Sequence, residues 1–242
     1  MCSNHDNLFS ELAPPLGSFS FNQEVVSVFD DMINRSVPFY QHLQHLIVAL
    51  VNDFSKEGDH IYDLGCSLGY TIESCFKSFN NQFRYITGID ASNDMIDAAN
   101  SRLSFFKDYL QLIVHDLSIN YNFKSSSVVI LNLTLQFLPV KKRHLLLKSL
   151  YQCLNPGGIL ILVEKLHHDH QDVFQFMQQH YYHFKQKNGY SSKQVFNKAK
   201  ALEGVLSSLT KKDNIMMIKN AGFSHCYSFF QYLQFWGCFA IK

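Results

Sequence analysis

Three residues with the chemistry to bind an adenosyl group follow three successive predicted strands. Gly65 lies in the turn after the first strand, Asp90 ends the second, and Asp116 follows the third. Glycine allows a sharp turn and a close approach of the backbone to a ligand. A carboxylate at the end of the second strand can accept hydrogen bonds from both hydroxyl groups of a ribose. The carboxylate after the third strand can accept a hydrogen bond from an adenine amino group. Together the three strand ends predict an adenosyl-binding crevice.

Further side chains are candidates for the same crevice. Leu117 is apolar enough to pack on an adenine ring. Asn132 ends the fourth predicted strand, where its amide either orients the ligand or bonds to the backbone as a buried polar group. Tyr40 could close over the ligand or belong to helix packing. Ser67 stands in the turn GCSLG where a glycine is usual, so this motif by itself is compatible with a structural turn.

No constellation for metal or nucleophilic chemistry stands out. The run HHDH at 167–170 consists of adjacent residues, so its side chains splay around a helix and form a solvated surface. The six cysteines show neither CxxC nor zinc-ligand spacing, which indicates reduced thiols of a cytosolic protein. We therefore expect no bound metal.

The composition argues against several classes of protein. The 21 Lys and Arg residues nearly balance the 20 Asp and Glu residues, which leaves a net charge of +1 and no basic footprint for direct nucleic-acid binding. The N-terminus has neither a basic start nor an apolar run, so it does not resemble a signal peptide. No stretch has the length to span a bilayer. These features predict a cytoplasmic protein that does not associate with membranes.

Strands and helices alternate along the centre of the chain. Apolar and alternating runs predict strands at 60–64, 83–89, 110–114, 128–133 and 159–163, with helix-period stripes between them. Such alternation is typical of a parallel, doubly wound sheet. Right-handed crossovers then place the ligand crevice at the carboxyl ends of the strands, where the candidate residues lie.

The remaining segments complete the predicted fold. Residues 1–55 are predicted to be an N-terminal helical cap, and the polar segment 165–215 a helical insertion that serves as a lid or a dimer surface. Residues 221–230 and 234–241 predict an antiparallel hairpin. We therefore expect a single domain over 1–242 with an α/β, Rossmann-like class I methyltransferase fold, in which a mostly parallel seven-stranded sheet ends in an antiparallel hairpin. The hairpin and the lack of a second mononucleotide-binding half favour S-adenosylmethionine over a dinucleotide.

Several motifs are more specific than a generic methyltransferase pattern. They are YDLGCSLG (62–69), GID (88–90), LNLTLQFLP (131–139), LNPGG (154–158), EK (164–165), FKxxNGYS (184–191) and AGF (221–223). Through them the chain resembles, almost from end to end, the carboxy-S-adenosyl-L-methionine synthase family of the class I methyltransferase superfamily.

The resemblance implies an enzyme that joins S-adenosylmethionine to a carboxyl group taken from prephenate and releases phenylpyruvate. The carboxy-S-adenosylmethionine would then pass to a separate transferase that modifies the wobble uridine of tRNA. The resemblance also implies a homodimer. The implied cofactor contacts are Tyr40, Gly65, Cys66, Ser67, Asp90, Ala91, Asp116, Leu117 and Asn132.

One position departs from the family pattern. The family has an arginine shortly before its Leu-Glu pair, and that position falls on Ala199 here. Arginine forms a bidentate pair with the transferred carboxylate that alanine cannot form, so Lys185, Lys198 or Lys200 would have to supply the positive charge. Lys200 is the candidate catalytic residue, although on a helix it points about 100° away from position 199. Two alternatives stay open: a divergent S-adenosylmethionine-dependent methyltransferase that acts on a small molecule, and a non-catalytic S-adenosylmethionine-binding protein.

Overall fold

A seven-stranded sheet forms the centre of the part of the chain that the computed structural model describes, residues 5–10, 15, 17–80 and 82–242. Its strands are β1 (His60–Leu64), β2 (Tyr85–Asp90), β3 (Leu110–Val114), β4 (Ser126–Asn132), β5 (Leu154–Lys165), β6 (His225–Tyr232) and β7 (Phe235–Ile241). Their order across the sheet is β3-β2-β1-β4-β5-β7-β6. Strands β1 to β5 pair in parallel, and β7 runs antiparallel to both β5 and β6. The predicted fold class is confirmed.

Eight α-helices accompany the sheet within the described residues. They are α1 (Gln23–Ser36), α2 (Tyr40–Phe54), α3 (Tyr70–Ser78), α4 (Asn93–Arg102), α5 (Val140–Cys153), α6 (Gln171–Lys187), α7 (Ser192–Leu202) and α8 (Lys211–Ala221). Side-chain oxygens cap the first turns of α1, α4, α7 and α8; the capping residues are Asn22, Ser92, Ser191 and Thr210. These caps satisfy backbone N–H groups that have no partner inside a helix.

Alternate residues of the central strands face two separate helix layers. In β4, Val129 and Leu131 pack with residues of α5 and α8 in one core cluster. Val128 and Ile130 pack with residues of α2, α3 and α4 in the other. Because successive side chains of a strand point to opposite faces, a continuous apolar run such as 128–131 is buried on both sides.

Several boundaries differ from those predicted; for example, β6 begins at His225 rather than at 221, because Ala221 is still the last residue of α8. Strand β5 begins at Leu154, which pairs with Ser126 of β4, rather than at the predicted residue 159. Residues 155–158 form a bulge before Ile159 pairs with Val128, and Gly157 in this bulge has a φ of +79°. The insertion predicted at 165–215 ends inside α8, which packs on α5 and buries Ile218 in the core of the sheet. Helix α8 is therefore part of a layer that covers the sheet, and α6 and α7 form the inserted pair. In the predicted cap at 1–55, residues 1–4, 11–14 and 16 lie outside the described residues.

Candidate functional site

A cavity of about 480 Å³ opens at the carboxyl ends of the parallel strands. Its volume is typical of a small-molecule site. Strand register brings the strand ends together, because Leu64 pairs with Ile89 and Asp90 pairs with Val114. All nine residues that the sequence assigns to cofactor contacts line this cavity: Tyr40, Gly65, Cys66, Ser67, Asp90, Ala91, Asp116, Leu117 and Asn132.

The turn after β1 closes against the end of β2. Gly65 has a φ of +76°, and a Cβ atom here would collide with the side chain of Thr134, so the position requires glycine. Ser67 also has a left-handed backbone, with a φ of +51°, which explains why a glycine is usual at this place in the turn. The N–H of Ser67 donates a hydrogen bond to Oδ2 of Asp90 at 2.9 Å. The turn and the carboxylate are therefore fixed relative to each other.

Backbone N–H groups hold the Asp90 carboxylate. Ser67 donates to one of its oxygens, and the N–H of Ser92 donates to the other at 3.0 Å. Burial raises the pKa of Asp90, and these hydrogen bonds oppose the rise. Each carboxylate oxygen has a further lone pair, so Asp90 keeps acceptor capacity for ligand hydroxyls. Asp63 lies buried in the cavity wall nearby, where burial and the charge of Asp90 raise its pKa to about 7.

Asp116 and Asn132 present polar atoms to the same cavity. Asp116 is exposed, and Ser118 orients it through its N–H at 2.8 Å and its hydroxyl at 2.9 Å. Leu117 is buried beside it and supplies an apolar surface. Oδ1 of Asn132 is buried and has no hydrogen-bond partner within the described residues. Because buried polar atoms are almost always paired, this oxygen is available to accept a hydrogen bond from a ligand in the cavity.

Tyr40, the first residue of α2, lines the cavity beside the turn. Burial raises the pKa of its hydroxyl well above the ordinary value, so the side chain stays neutral. Burial likewise raises the pKa of the Cys66 thiol. Because the thiolate is the nucleophilic form, Cys66 contributes its backbone and volume to the wall rather than a reactive sulfur.

Three lysines line the cavity on the β5 side of the sheet. Lys165 ends β5, Lys185 lies on α6 and Lys198 lies on α7. Burial lowers the pKa of Lys165 and of Lys198 to about 8. Burial and repulsion from the other two lysines lower the pKa of Lys185 well below its ordinary value. The cavity therefore has carboxylates at the ends of β2 and β3 and cations on the opposite side.

Buried polar groups of β5 and α5 hold the loop after β4, residues 133–139. The N–H of Gln136 donates to Oε1 of Glu164 at 3.3 Å, and Oε1 of Gln136 accepts from the N–H of Lys165 at 3.1 Å. Arg143, which is fully buried, donates to the carbonyl of Gln136 at 3.1 Å. These bonds hold the loop, and with it the wall around Asn132, against β5.

Curated relatives match this chain over nearly its whole length. A carboxy-S-adenosyl-L-methionine synthase from Idiomarina loihiensis is 35% identical over 99% of this chain and all of its own length. The synthase of the same name from Trichodesmium erythraeum is 37% identical over all of this chain and 95% of its own. One from Actinobacillus pleuropneumoniae serotype 7 is 38% identical over 99% of this chain and all of its own.

The chain belongs to the carboxy-S-adenosyl-L-methionine synthase family. A family model described as a methyltransferase domain matches residues 62–160. This range runs from within β1 to the middle of β5 and carries eight of the nine predicted cofactor contacts. The predicted family and the predicted class of enzyme, a transferase that uses S-adenosylmethionine, are confirmed.

Solved structures show the same fold at low sequence identity. An O-methyltransferase family protein from Burkholderia thailandensis superimposes with a TM-score of 0.65 and 12% identity, covering 93% of this chain and 64% of its own. The N-methyltransferase NodS from Bradyrhizobium japonicum, solved with S-adenosyl-L-homocysteine, has a TM-score of 0.59 and 12% identity, covering 87% of this chain and 90% of its own. At this identity the likeness shows a shared fold alone. It carries no information about the molecule that accepts the transferred group.

The residues predicted to supply positive charge do not all face the cavity of this synthase family member. Lys185 and Lys198 line it, whereas Lys200 and Ala199 are absent from the described lining. Lys165 also lines it, although sequence reasoning noticed it only as part of the EK motif. The signal that could have singled it out is its place at the carboxyl end of a central strand.

Three further features of the described residues concern metal ligands, helix length and cysteines. No group of three His, Cys, Asp or Glu side chains among them is arranged to hold a metal ion. In the same residues, no helix is both long and apolar enough to cross a bilayer. The described cysteines, Cys66, Cys75, Cys153, Cys226 and Cys238, are free.

Proposed function

We propose that this chain converts S-adenosylmethionine and prephenate to carboxy-S-adenosylmethionine and phenylpyruvate. The observation that carries the proposal is that one cavity contains both the nine expected cofactor contacts and three lysines. Prephenate carries two carboxylates, and lysine ammonium groups are suitable partners for them. Membership of the carboxy-S-adenosyl-L-methionine synthase family supports the same reaction.

The strand-end residues are suited to hold the adenosyl group. Asp90 would accept hydrogen bonds from the ribose hydroxyls, and Asp116 would accept one from the adenine amino group. Leu117 would pack on the adenine ring. The turn at 65–67 brings the backbone close to the ligand, and the unpaired amide oxygen of Asn132 would bond to the amino-acid part. When bound, S-adenosylmethionine supplies a methyl group made acidic by the adjacent positive sulfur.

The rest of the wall must exclude water and position the second substrate. Apolar side chains from α1, α7 and the loops complete the lining; they include Phe19, Phe21, Phe29, Phe137, Leu202 and Leu206. A dry site strengthens the attraction between lysines and carboxylates. Holding both substrates in a fixed orientation lowers the entropic cost of bringing them together for the reaction. In the net reaction prephenate loses its ring carboxyl group and ring hydroxyl. The carboxyl group replaces one proton of the methyl group, and that proton leaves with the hydroxide as water.

The missing arginine of the family is compensated, in this proposal, by the combined charge of the cavity lysines, to which Lys198 contributes from the same helix as Ala199. Ala199 and Lys198 are neighbours on α7, and Lys198 is the one that lines the cavity. A lysine is a point charge rather than a planar fork, so we expect the cavity lysines to bind the transferred carboxylate with less geometric selectivity than arginine.

Mass spectrometry of the cofactor after incubation with prephenate tests the proposal. We expect the mass gain of one carboxyl group together with formation of phenylpyruvate. Recovery of demethylated cofactor with a methylated small molecule would instead favour the divergent methyltransferase. Tight binding of S-adenosylmethionine with no turnover at high protein concentration would favour the non-catalytic alternative. Either result would overturn the proposed reaction.

We also propose a cytoplasmic homodimer whose product serves a separate tRNA-modifying transferase at the wobble uridine. The near-neutral net charge of +1 supports the view that this chain does not itself bind tRNA. Light scattering coupled to size exclusion tests the dimer, and a single-chain mass at micromolar concentration would contradict it.

A further inference from the structure

The three lysines of the cavity, Lys165, Lys185 and Lys198, form one cluster around two aromatic rings. Nζ of Lys165 lies 4.8 Å from the centre of the Tyr181 ring, and Nζ of Lys185 lies 5.2 Å from the same ring. Nζ of Lys185 is also 5.8 Å from the centre of the Tyr190 ring, and Nζ of Lys198 is 5.5 Å from it. Three consecutive elements, β5, α6 and α7, thus bring lysine ammonium groups to one side of the cavity. We call these three residues the lysine cluster.

The members of the lysine cluster differ in how the protein balances their charge. Lys198 lies 3.7 Å from the Asp6 carboxylate and donates to the hydroxyl of Ser36 at 3.0 Å. No carboxylate of the described residues lies within ion-pair distance of Lys165 or Lys185. Burying a cation without a partner is costly. The side chain of Lys185 is nevertheless buried, with 3% exposure.

An anionic ligand would relieve this imbalance. Each bound carboxylate replaces lost water at an ammonium group and reduces the repulsion among the three lysines. The tyrosines contribute ring faces, which favour cations, and they bring no negative charge of their own. Two unpaired lysines and one paired lysine match a ligand with two carboxylates better than a ligand with one.

We propose that the lysine cluster is the subsite for the two carboxylates of the second substrate, with Lys165 and Lys185 as the direct contacts. Lys198, held by Asp6 and Ser36, is fixed beside them and adds its charge. The assignment rests on the proposed function for the identity of the substrate as a dicarboxylate. It does not depend on turnover, because binding can be measured with an unreactive compound.

The test uses homophthalate, a ring that bears one carboxylate and one carboxymethyl group, and phenylacetate, which lacks the ring carboxylate. Calorimetry is done on the full chain saturated with S-adenosylhomocysteine, so that the cofactor part of the cavity is filled. We expect homophthalate to bind at least about tenfold more tightly than phenylacetate, since each tenfold step corresponds to about 1.4 kcal/mol. Equal affinity for the two compounds would overturn the proposal.

Variants assign the binding to the lysines. Lys165→Met and Lys185→Met keep the approximate length and the apolar stem of the side chain and remove its charge. We expect each to weaken homophthalate binding about tenfold or more. Lys187→Met is the matched control, because Lys187 is exposed on the same helix as Lys185, and it should leave binding unchanged. Affinity for S-adenosylhomocysteine should stay within about twofold in all three, which also shows that the cavity is folded.

The possible failures are distinguishable. If Lys185→Met weakens the binding of S-adenosylhomocysteine as much as the binding of homophthalate, the lysines bind the amino-acid carboxylate of the cofactor and the proposal is wrong. If homophthalate binds through the lysines but prephenate is not turned over, the subsite stands and the proposed reaction fails. If prephenate is turned over with unchanged KM in Lys165→Met and Lys185→Met, the reaction stands and the subsite fails.

Discussion

The carboxylate of Asp6 lies 3.7 Å from Nζ of Lys198, so the start of the described chain is tied to helix α7 beside the cavity. Both side chains are buried, with 1% and 5% exposure. The hydroxyl of Tyr190 donates to the same carboxylate, and the guanidinium of Arg35 donates to the Asp6 carbonyl at 3.2 Å. The N-terminal segment therefore helps to determine how a cavity lysine is held.

Asp6→Asn should destabilise the protein by about 3–5 kcal/mol, because it leaves the Lys198 charge buried without its partner. The amide still offers an acceptor to Tyr190, so the loss reports mainly on charge. The double variant Asp6→Asn/Lys198→Met should be less destabilised than Asp6→Asn alone, since it removes both charges. Chemical denaturation measures the unfolding free energies, and strictly additive effects would contradict a direct Asp6–Lys198 interaction.

Gly65→Ala should lower both stability and affinity for S-adenosylmethionine. The backbone strain of a non-glycine residue at this φ costs roughly 1–3 kcal/mol, and the new Cβ would also collide with Thr134. Gly157→Ala is the control, because Gly157 has a similar φ of +79° but no atom within 4 Å of the added Cβ. Gly157→Ala should lower the unfolding free energy by the backbone strain alone, without a steric clash. Equal losses in thermal unfolding for the two variants would argue against close packing at the turn.

Asn132→Ala should weaken S-adenosylmethionine binding about tenfold while leaving stability nearly unchanged. Its Oδ1 has no partner in the described protein, so the folded chain loses no hydrogen bond at that oxygen, and the ligand loses one worth on the order of 1–1.5 kcal/mol. Calorimetry and thermal unfolding separate the two effects. A large drop in the unfolding midpoint without ligand would show that the amide is a structural group.

Dicarboxylate binding should weaken as pH rises through about 8. A lysine attracts a carboxylate only when protonated, and the pKa values of Lys165 and Lys198 are both lowered to about 8 by burial, so these cations are lost well below the ordinary range of lysine. Burial and the charges of the other two lysines also lower the pKa of Lys185 well below its ordinary value. The negative groups that act on these lysines are Asp6 and Asp31, and the other cation is Arg35. Burial raises the pKa values of Tyr181 and Tyr190, which keeps both side chains neutral.

The measurement is the Kd of homophthalate between about pH 7 and 9, with S-adenosylhomocysteine bound. We expect a loss of affinity of about tenfold or more over this range, which is the effect of roughly one lost proton. The Lys187→Met control should follow the same curve. A flat profile up to about pH 9 would show that the bound lysines keep the ordinary pKa of an exposed lysine.

Much of the fold and of the adenosyl wall could be predicted from the sequence. Strand periodicity is a local property, and β1 and β3 begin and end where the sequence predicts. Parallel strands bring their carboxyl ends to one edge, so Gly65, Asp90 and Asp116 could be placed together before any contact was known. The boundary of the insertion at α8 could not be predicted, because packing on α5 rather than local pattern decides which layer a helix joins.

The sequence by itself therefore determined the sheet, the turn and the acidic strand ends, since these follow from periods of a few residues. Tertiary structure decided where the positive charge of the cavity lies. Lys165, Lys185 and Lys198 come from β5, α6 and α7, and no local period connects them. Lys198 and Lys200 are two positions apart and thus roughly 200° apart around the helix. The rotation of α7, set by its packing and by contacts such as Asp6 with Lys198, turns one of them toward the cavity and the other away.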